Sequence, residues 1–123
     1  MRQAGSRSNA QTSGGKSLAR EQLVVQLPVT ESTDFNMLLY VEETLFRSFP
    51  RNDIAEVERH DFSDGRFNLF ISPRGPHAPV IERILAALKM RGVDGTALIA
   101  ARLESNGPYT VVWPEHHDSA FTL

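Results

Sequence analysis

Between residues 21 and 114 the chain alternates two kinds of hydrophobic pattern. LVVQLPV (23–29) is an almost unbroken apolar, β-branched run, the pattern of an interior strand. Pro28 cannot donate to a ladder, so the strand is expected to end near Leu27. TESTD (30–34) is a run of cap-forming residues and sets a helix N-cap at Thr33 or Asp34. FNMLLYVEETLFRSF (35–49) then repeats apolar residues at helical spacing. Phe35, Leu38, Leu39, Val41, Leu45, Phe46 and Phe49 make one wide apolar face, and Pro50 with the following RND stops the helix.

IAEVERHDF (54–62) alternates imperfectly and is heavily charged, as a strand at a sheet edge would be. Asp64-Gly65 separates it from RFNLFIS (66–72), and a DG pair between two strand-like runs predicts a tight hairpin. The second run is more apolar and belongs inside the sheet. SPRGPHAP (72–79) reads as a loop, with Pro79 in the first turn of a helix over VIERILAALKM (80–90). Val80, Ile81, Ile84, Leu85 and Leu88 share a face of that helix, and Gly92 supplies a left-handed stop. TALIAARLE (96–104) and YTVVWP (109–114) flank Asn106-Gly107, a second hairpin signal. Strict alternation places Tyr109, Val111 and Trp113 on one face of the last strand, and Thr110 and Val112 on the other.

The order is β-α-β-β-α-β-β. Right-handed crossovers set the first and third strands side by side in the middle, and those two runs are the most apolar. The pattern resembles a ferredoxin-like α/β plait: an α+β two-layer sandwich with an antiparallel sheet and both helices on one face. The resemblance implies strand order 4-1-3-2, with a fifth strand added through the Asn106-Gly107 hairpin. It covers about residues 21 to 114, is one of topology, and brings no catalytic residues with it.

Composition narrows the picture. The 123 residues suit one domain. The absence of cysteine excludes disulfides, thiolate nucleophiles and Cys-type zinc sites. No apolar run approaches the roughly 18 to 20 residues of a membrane span, and the first residues lack a signal-peptide apolar core. The expected location is cytoplasmic, with no membrane partner. Arg2, Arg7, Lys16 and Arg20 occur within residues 1–20, where there is no acid. That segment is expected to be a disordered cationic tail of +4. The other nine basic residues stand against all fifteen acids, so the remainder carries −6. An acidic body disfavours nucleic acid as its main partner. Residues 115–123, EHHDSAFTL, read as a polar C-terminal tail.

Candidate chemistry is sparse. AQTSGGKS (10–17) fits a relaxed Walker A pattern, yet no strand precedes it and too few residues follow for a helix, so Lys16 reads as a solvated charge. In the plait, the loops after strands one and three are expected side by side at one sheet edge. Each would lead into a helix N-terminus that favours a small anionic ligand. One loop offers Thr30, Ser32 and Asp34, the other Ser72, Arg74, Gly75 and His77, with Arg74 as anion anchor and His77 as acid or base. Against this, the same residues serve as ordinary caps, with Arg74 paired to Glu31 or Asp34.

His60 and Asp61 point to opposite strand faces, and Asp64 is a turn residue. Glu115, His116, His117 and Asp118 offer metal-ligand groups without the rigid set a structural site requires. Tyr109, Val111 and Trp113 would either form an apolar strip on the helix-free sheet face or pack against the helices as ordinary core. With no cofactor motif, no metal motif and no convergent nucleophile, base and oxyanion set, the leading expectation is a small non-enzymatic binding domain. Its partner would be another protein or a second copy, in an immunity or regulatory role. The alternative is a small-ligand-binding or enzymatic plait using the helix N-termini.

Overall fold

Strand β1 (Gln22–Pro28) runs through the middle of the sheet, with Leu23 to Leu27 all buried. In the computed structural model, which describes residues 21–115, 117 and 121–123, four further strands extend the sheet on either side of it. They are β2 (Ala55–Ser63), β3 (Arg66–Pro73), β4 (Leu98–Arg102) and β5 (Thr110–Trp113). The hydrogen-bonded order is β2-β3-β1-β4-β5, and every pairing is antiparallel. Helices α1 (Phe35–Ser48) and α2 (His77–Met90) complete an α+β, two-layer arrangement. The Walker-type stretch with Lys16 and the cationic segment 1–20 lie outside the described residues. Among those that are described, no helix is long and apolar enough to cross a membrane.

Period-two alternation divides the strands between two environments. Leu23, Val25 and Leu27 of β1 join Phe67, Leu69, Ile71 and Ile99 in the core under the helices. Into it α1 sends Leu38, Val41 and Leu45, and α2 sends Val80, Ile84, Ala87 and Leu88. Val24, Gln26, Asn68, Phe70 and Ala100 are also buried, but they point to the opposite side. Part of that side is covered by residues 121–123, and the Arg59 guanidinium lies 3.8 Å over the Phe70 ring. Gln26 Nε2 and Arg66 Nη1 donate to the Thr122 carbonyl at 2.8 and 2.9 Å, and Phe121 packs on Tyr109 with ring centroids 5.7 Å apart.

Local chemistry fixes the element ends. Asp34 accepts from Met37 N–H at 3.0 Å and caps α1. Asp64 and Gly65 both have positive φ, 51° and 74°, so the β2–β3 hairpin closes through the two-residue turn that the DG pair predicts. By contrast, seven residues (103–109) separate β4 from β5. There Gly107 N–H donates to the Glu104 carbonyl at 3.0 Å, so Asn106-Gly107 closes a β-turn within a longer loop and is not the two-residue turn of a tight hairpin. Helix α2 starts at His77, three residues before the apolar run, because its first turn needs no apolar partner. It ends in a Schellman motif. Gly92 (φ 73°) donates to Lys89, and Val93 donates to Leu88 while burying its own side chain. Arg83, midway along α2, ties that helix to the end of α1 and to the segment after it, donating to the Ser48 carbonyl (3.1 Å) and to both oxygens of Asp53 (3.0 and 2.8 Å).

Two expectations follow. A Cβ at position 92 would meet nothing within 4 Å, so Gly92→Ala isolates the backbone strain of its positive φ. It should lower stability by about 1 kcal/mol, read as a lower urea midpoint at unchanged m. The hydrogen bond from Arg83 is the main cause that holds the Asp53 carboxyl below its ordinary value. A lowered carboxylate stabilises the fold above its unfolded pKa, and that contribution is lost as pH falls through the folded value. The difference between the wild type and Asp53→Asn should therefore be present at neutral pH. It should shrink as unfolding curves are taken below about pH 4, and it should be small throughout, because the pair is solvent-screened.

Candidate functional site

The anion site expected from the two helix N-termini is not assembled. The β2–β3 hairpin reverses the chain, so β3 runs antiparallel to β1, with Leu23 opposite Ile71 and Pro28 opposite Arg66. The loop after β1 thus leaves from one end of the sheet and the loop after β3 from the other, roughly 20 Å away at strand rise. At the first end Thr30, Ser32 and Asp34 serve the turn itself. Thr33 N–H donates to Thr30 Oγ1 (2.9 Å), Thr30 and Ser32 share a hydroxyl contact of 3.3 Å, and Asp34 is the cap. At the other end Arg74 lies 3.3 Å from Glu56, away from Glu31 and Asp34, and its N–H donates to the Ile54 carbonyl. Gly75 has φ 145°, Ser72 lies beside Glu21, Gln22 and Arg102, and His77 Nε2 is 2.8 Å from Glu21 Oε1.

The aromatic strip expected on the last strand is also divided. Ile99 pairs with Trp113 but Ala100 pairs with Val111, so Val112 is an extra, bulged residue and alternation fails across it. Val112 and Trp113 both pack against the core under the helices. Val111 stays on the other side, in a row with Ala100, Val24 and Phe70. Tyr109 is engaged there by the Phe121 ring, by the Arg102 guanidinium 4.8 Å over its ring, and by Gln22 Oε1, to which its hydroxyl donates. Burial pushes its phenol above the ordinary value of 10.0, so it remains a proton donor at neutral pH. The helix-free face is thus partly covered by the chain itself, through residues 121–123, Tyr109, Arg102 and Arg59.

Exposed apolar surface lies instead along the seam between α1 and the edge strand β2. Phe35, Leu39, Glu42 and Phe46 recur at the spacing of one helix stripe. That stripe is anchored to β2 at its first residue and at Glu42. Phe35 packs on Phe62 (5.0 Å), which in turn packs on Phe67 (4.9 Å), and Glu42 meets His60 Nδ1 at 2.8 Å. Beyond Glu42 a groove of about 370 Å³ opens between the helix and the strand, with Leu39, Phe46 and Val57 in its walls. Glu42, Glu43 and Glu58 rim it, with Arg47 tied to Glu43 at 3.0 Å, Glu42 held by His60 and Glu58 accepting from Gln22 Nε2 at 3.3 Å. Phe46 is 62% exposed, Phe35 49% and Phe62 43%, a concentration of aromatic surface with no counterpart in the described β4–β5 region. The bulge at Glu58 keeps the edge irregular.

His60 therefore faces α1, whereas Asp61 faces the other way and accepts from Asn68 Nδ2 at 3.0 Å, so the two share no site. Among the described residues no three His, Asp or Glu side chains converge to hold a metal ion, and His116 and Asp118 lie outside them. A second cavity, of about 430 Å³, lies at the other edge of the sheet between the start of α2 and the β4–β5 loop. Neither a protein-family model nor a curated protein sequence matches the chain. The signal for the α1 seam was present in the sequence. Leu38, Val41 and Leu45 already satisfy one core-facing stripe, which leaves Phe35, Leu39 and Phe46 as a surplus.

Closure of the second face can be checked by substitution. Phe121→Ala removes a half-buried ring and should cost about 1–2 kcal/mol in a urea melt, below the 3–5 kcal/mol of a fully buried phenylalanine. A change within error would place residues 121–123 off the sheet.

Proposed function

We propose that this chain is a ferredoxin-like plait acting as a non-enzymatic interaction domain, whose α1/β2 edge binds another protein through an apolar, basic segment. The carrying observation is the pair of exposed rings Phe35 and Phe46 on one stripe of α1, with half-buried Leu39 between them and Phe62 and Val57 of β2 alongside. Exposed aromatics that line a groove are the usual anchors of protein interfaces. The rim favours one kind of partner: with Glu43 already paired to Arg47, Glu42 and Glu58 leave it a net negative charge that attracts Lys and Arg on an incoming segment. The same rim disfavours a second copy, because a two-fold contact would set these acids against themselves. An anionic small ligand held jointly by both helix N-termini has no support, since the loops concerned leave opposite ends of the sheet.

The reading is tested with a designed amphipathic helix of lysine and leucine, titrated against the isotope-labelled chain, with a glutamate-leucine twin as control. Amide shifts should concentrate at Leu39, Phe46 and Val57 for the basic peptide only. Phe46→Ser, at an exposed position, should leave the melting temperature unchanged and weaken binding at least about tenfold. Equal binding of the acidic twin, or shifts centred elsewhere, would refute it. So would a doubling of solution mass abolished by Phe46→Ser, which would mark the edge as a self-association surface.

A further inference from the structure

The cavity at the far edge of the sheet is separate from the α1/β2 groove and has a different character. The loop from Leu103 to Tyr109 stands off the start of α2, and the bulge at Val112 brings that side chain to the helix side of β5. Leu103, Pro108 and Val112 supply apolar wall around a space of about 430 Å³, within the usual range of small-molecule sites. Polar residues are few: Thr110, Glu104, and His77, whose Nε2 is held 2.8 Å from Glu21 Oε1.

Charge decides the class of occupant. No Lys or Arg lines the cavity. Glu104 makes no ion pair with any described residue, and Glu21 stands behind His77. The N-terminus of α2 carries about half a positive charge, with Pro76 giving no side-chain cap, and Glu104 sets a full negative charge against it. We infer that this cavity binds a small molecule with an apolar body and a protonated amine. The body lies on Leu103, Pro108 and Val112, and the ammonium lies against Glu104. An ammonium beside an apolar wall loses little hydration if one face stays in water, and the open mouth beside Glu104 permits that.

The probes are 2-phenylethylamine, 2-phenylethanol and phenylacetate, matched in apolar body and differing in charge, each titrated against the full chain by amide NMR. The amine should give saturable shifts at His77, Ala101 and Thr110, and should bind at least about fivefold more tightly than the alcohol or the acid. Glu104→Gln should erase that preference while leaving the alcohol's weak binding in place. Thr110→Trp, at an exposed position, should fill the space and abolish all three without lowering the melting temperature. Phenylacetate binding as tightly as the amine would overturn the inference, as would an unchanged preference in Glu104→Gln. Saturable shifts elsewhere, or none up to the solubility limit, would also overturn it. None of these outcomes bears on the Lys/Leu peptide, which reports on the opposite edge.

Discussion

Two buried amides, Gln26 and Asn68, constrain the rest of the structure. They sit opposite each other on β1 and β3, on the side away from the helices. A primary amide buried without partners costs on the order of a few kcal/mol. Here both are satisfied in series. Asn68 Nδ2 donates to Asp61 Oδ1, Gln26 Nε2 donates to Asn68 Oδ1 at 2.9 Å, and Gln26 Nε2 also donates to the Thr122 carbonyl. This ladder crosses β2, β3 and β1 and ends on a segment remote in sequence. A one-residue slip of β1 or β3 would turn an amide into the aliphatic core and leave it without partners. Strand register and the docking of residues 121–123 are therefore the same requirement seen from two sides.

Closing that face redistributes the molecule's surface. In a two-layer sandwich the helix-free side is normally the large flat one, and here Val24, Phe70 and Ala100 are withdrawn from solvent on it. What remains exposed and apolar is the surplus of α1 beside an edge strand. The helix has more large apolar residues than one core-facing stripe can hold, so Phe35 and Phe46 are left along the seam with β2. The acids on the groove rim and the bulge at Glu58 protect that seam from indiscriminate strand pairing. The same features give it a charge preference.

Much of the fold was legible in local signals. The apolar runs, the Asp64-Gly65 turn, the Asp34 cap and the Gly92 stop are each decided within a few residues. The site was less legible because it depends on relations that local pattern does not carry. Alternation along YTVVWP is interrupted at Val112 by a bulge, which exists only relative to the partner strand β4. The two anion-binding loops were expected together because each follows a strand, whereas strand direction, set by the intervening hairpin, sends them apart. EHHDSAFTL offers one aromatic in a polar context, too weak a signal to foretell that Phe121 and Thr122 lie on the sheet. The stronger clue lay elsewhere, in the lone Gln26 within LVVQL and the lone Asn68 within FNLF. A polar amide in the middle of each fully apolar strand requires a partner on that face.

The most direct test of this account is the side-chain amide of Gln26, observed by NMR in the full chain. The ladder predicts slowed hydrogen exchange of its Nε2 protons, cross-relaxation between them and Thr122, and contacts between the Phe121 and Tyr109 rings. Exchange at the rate of a free glutamine, with no contact from residues 121–123, would mean that the second face is open. The interaction surface would then return to the sheet.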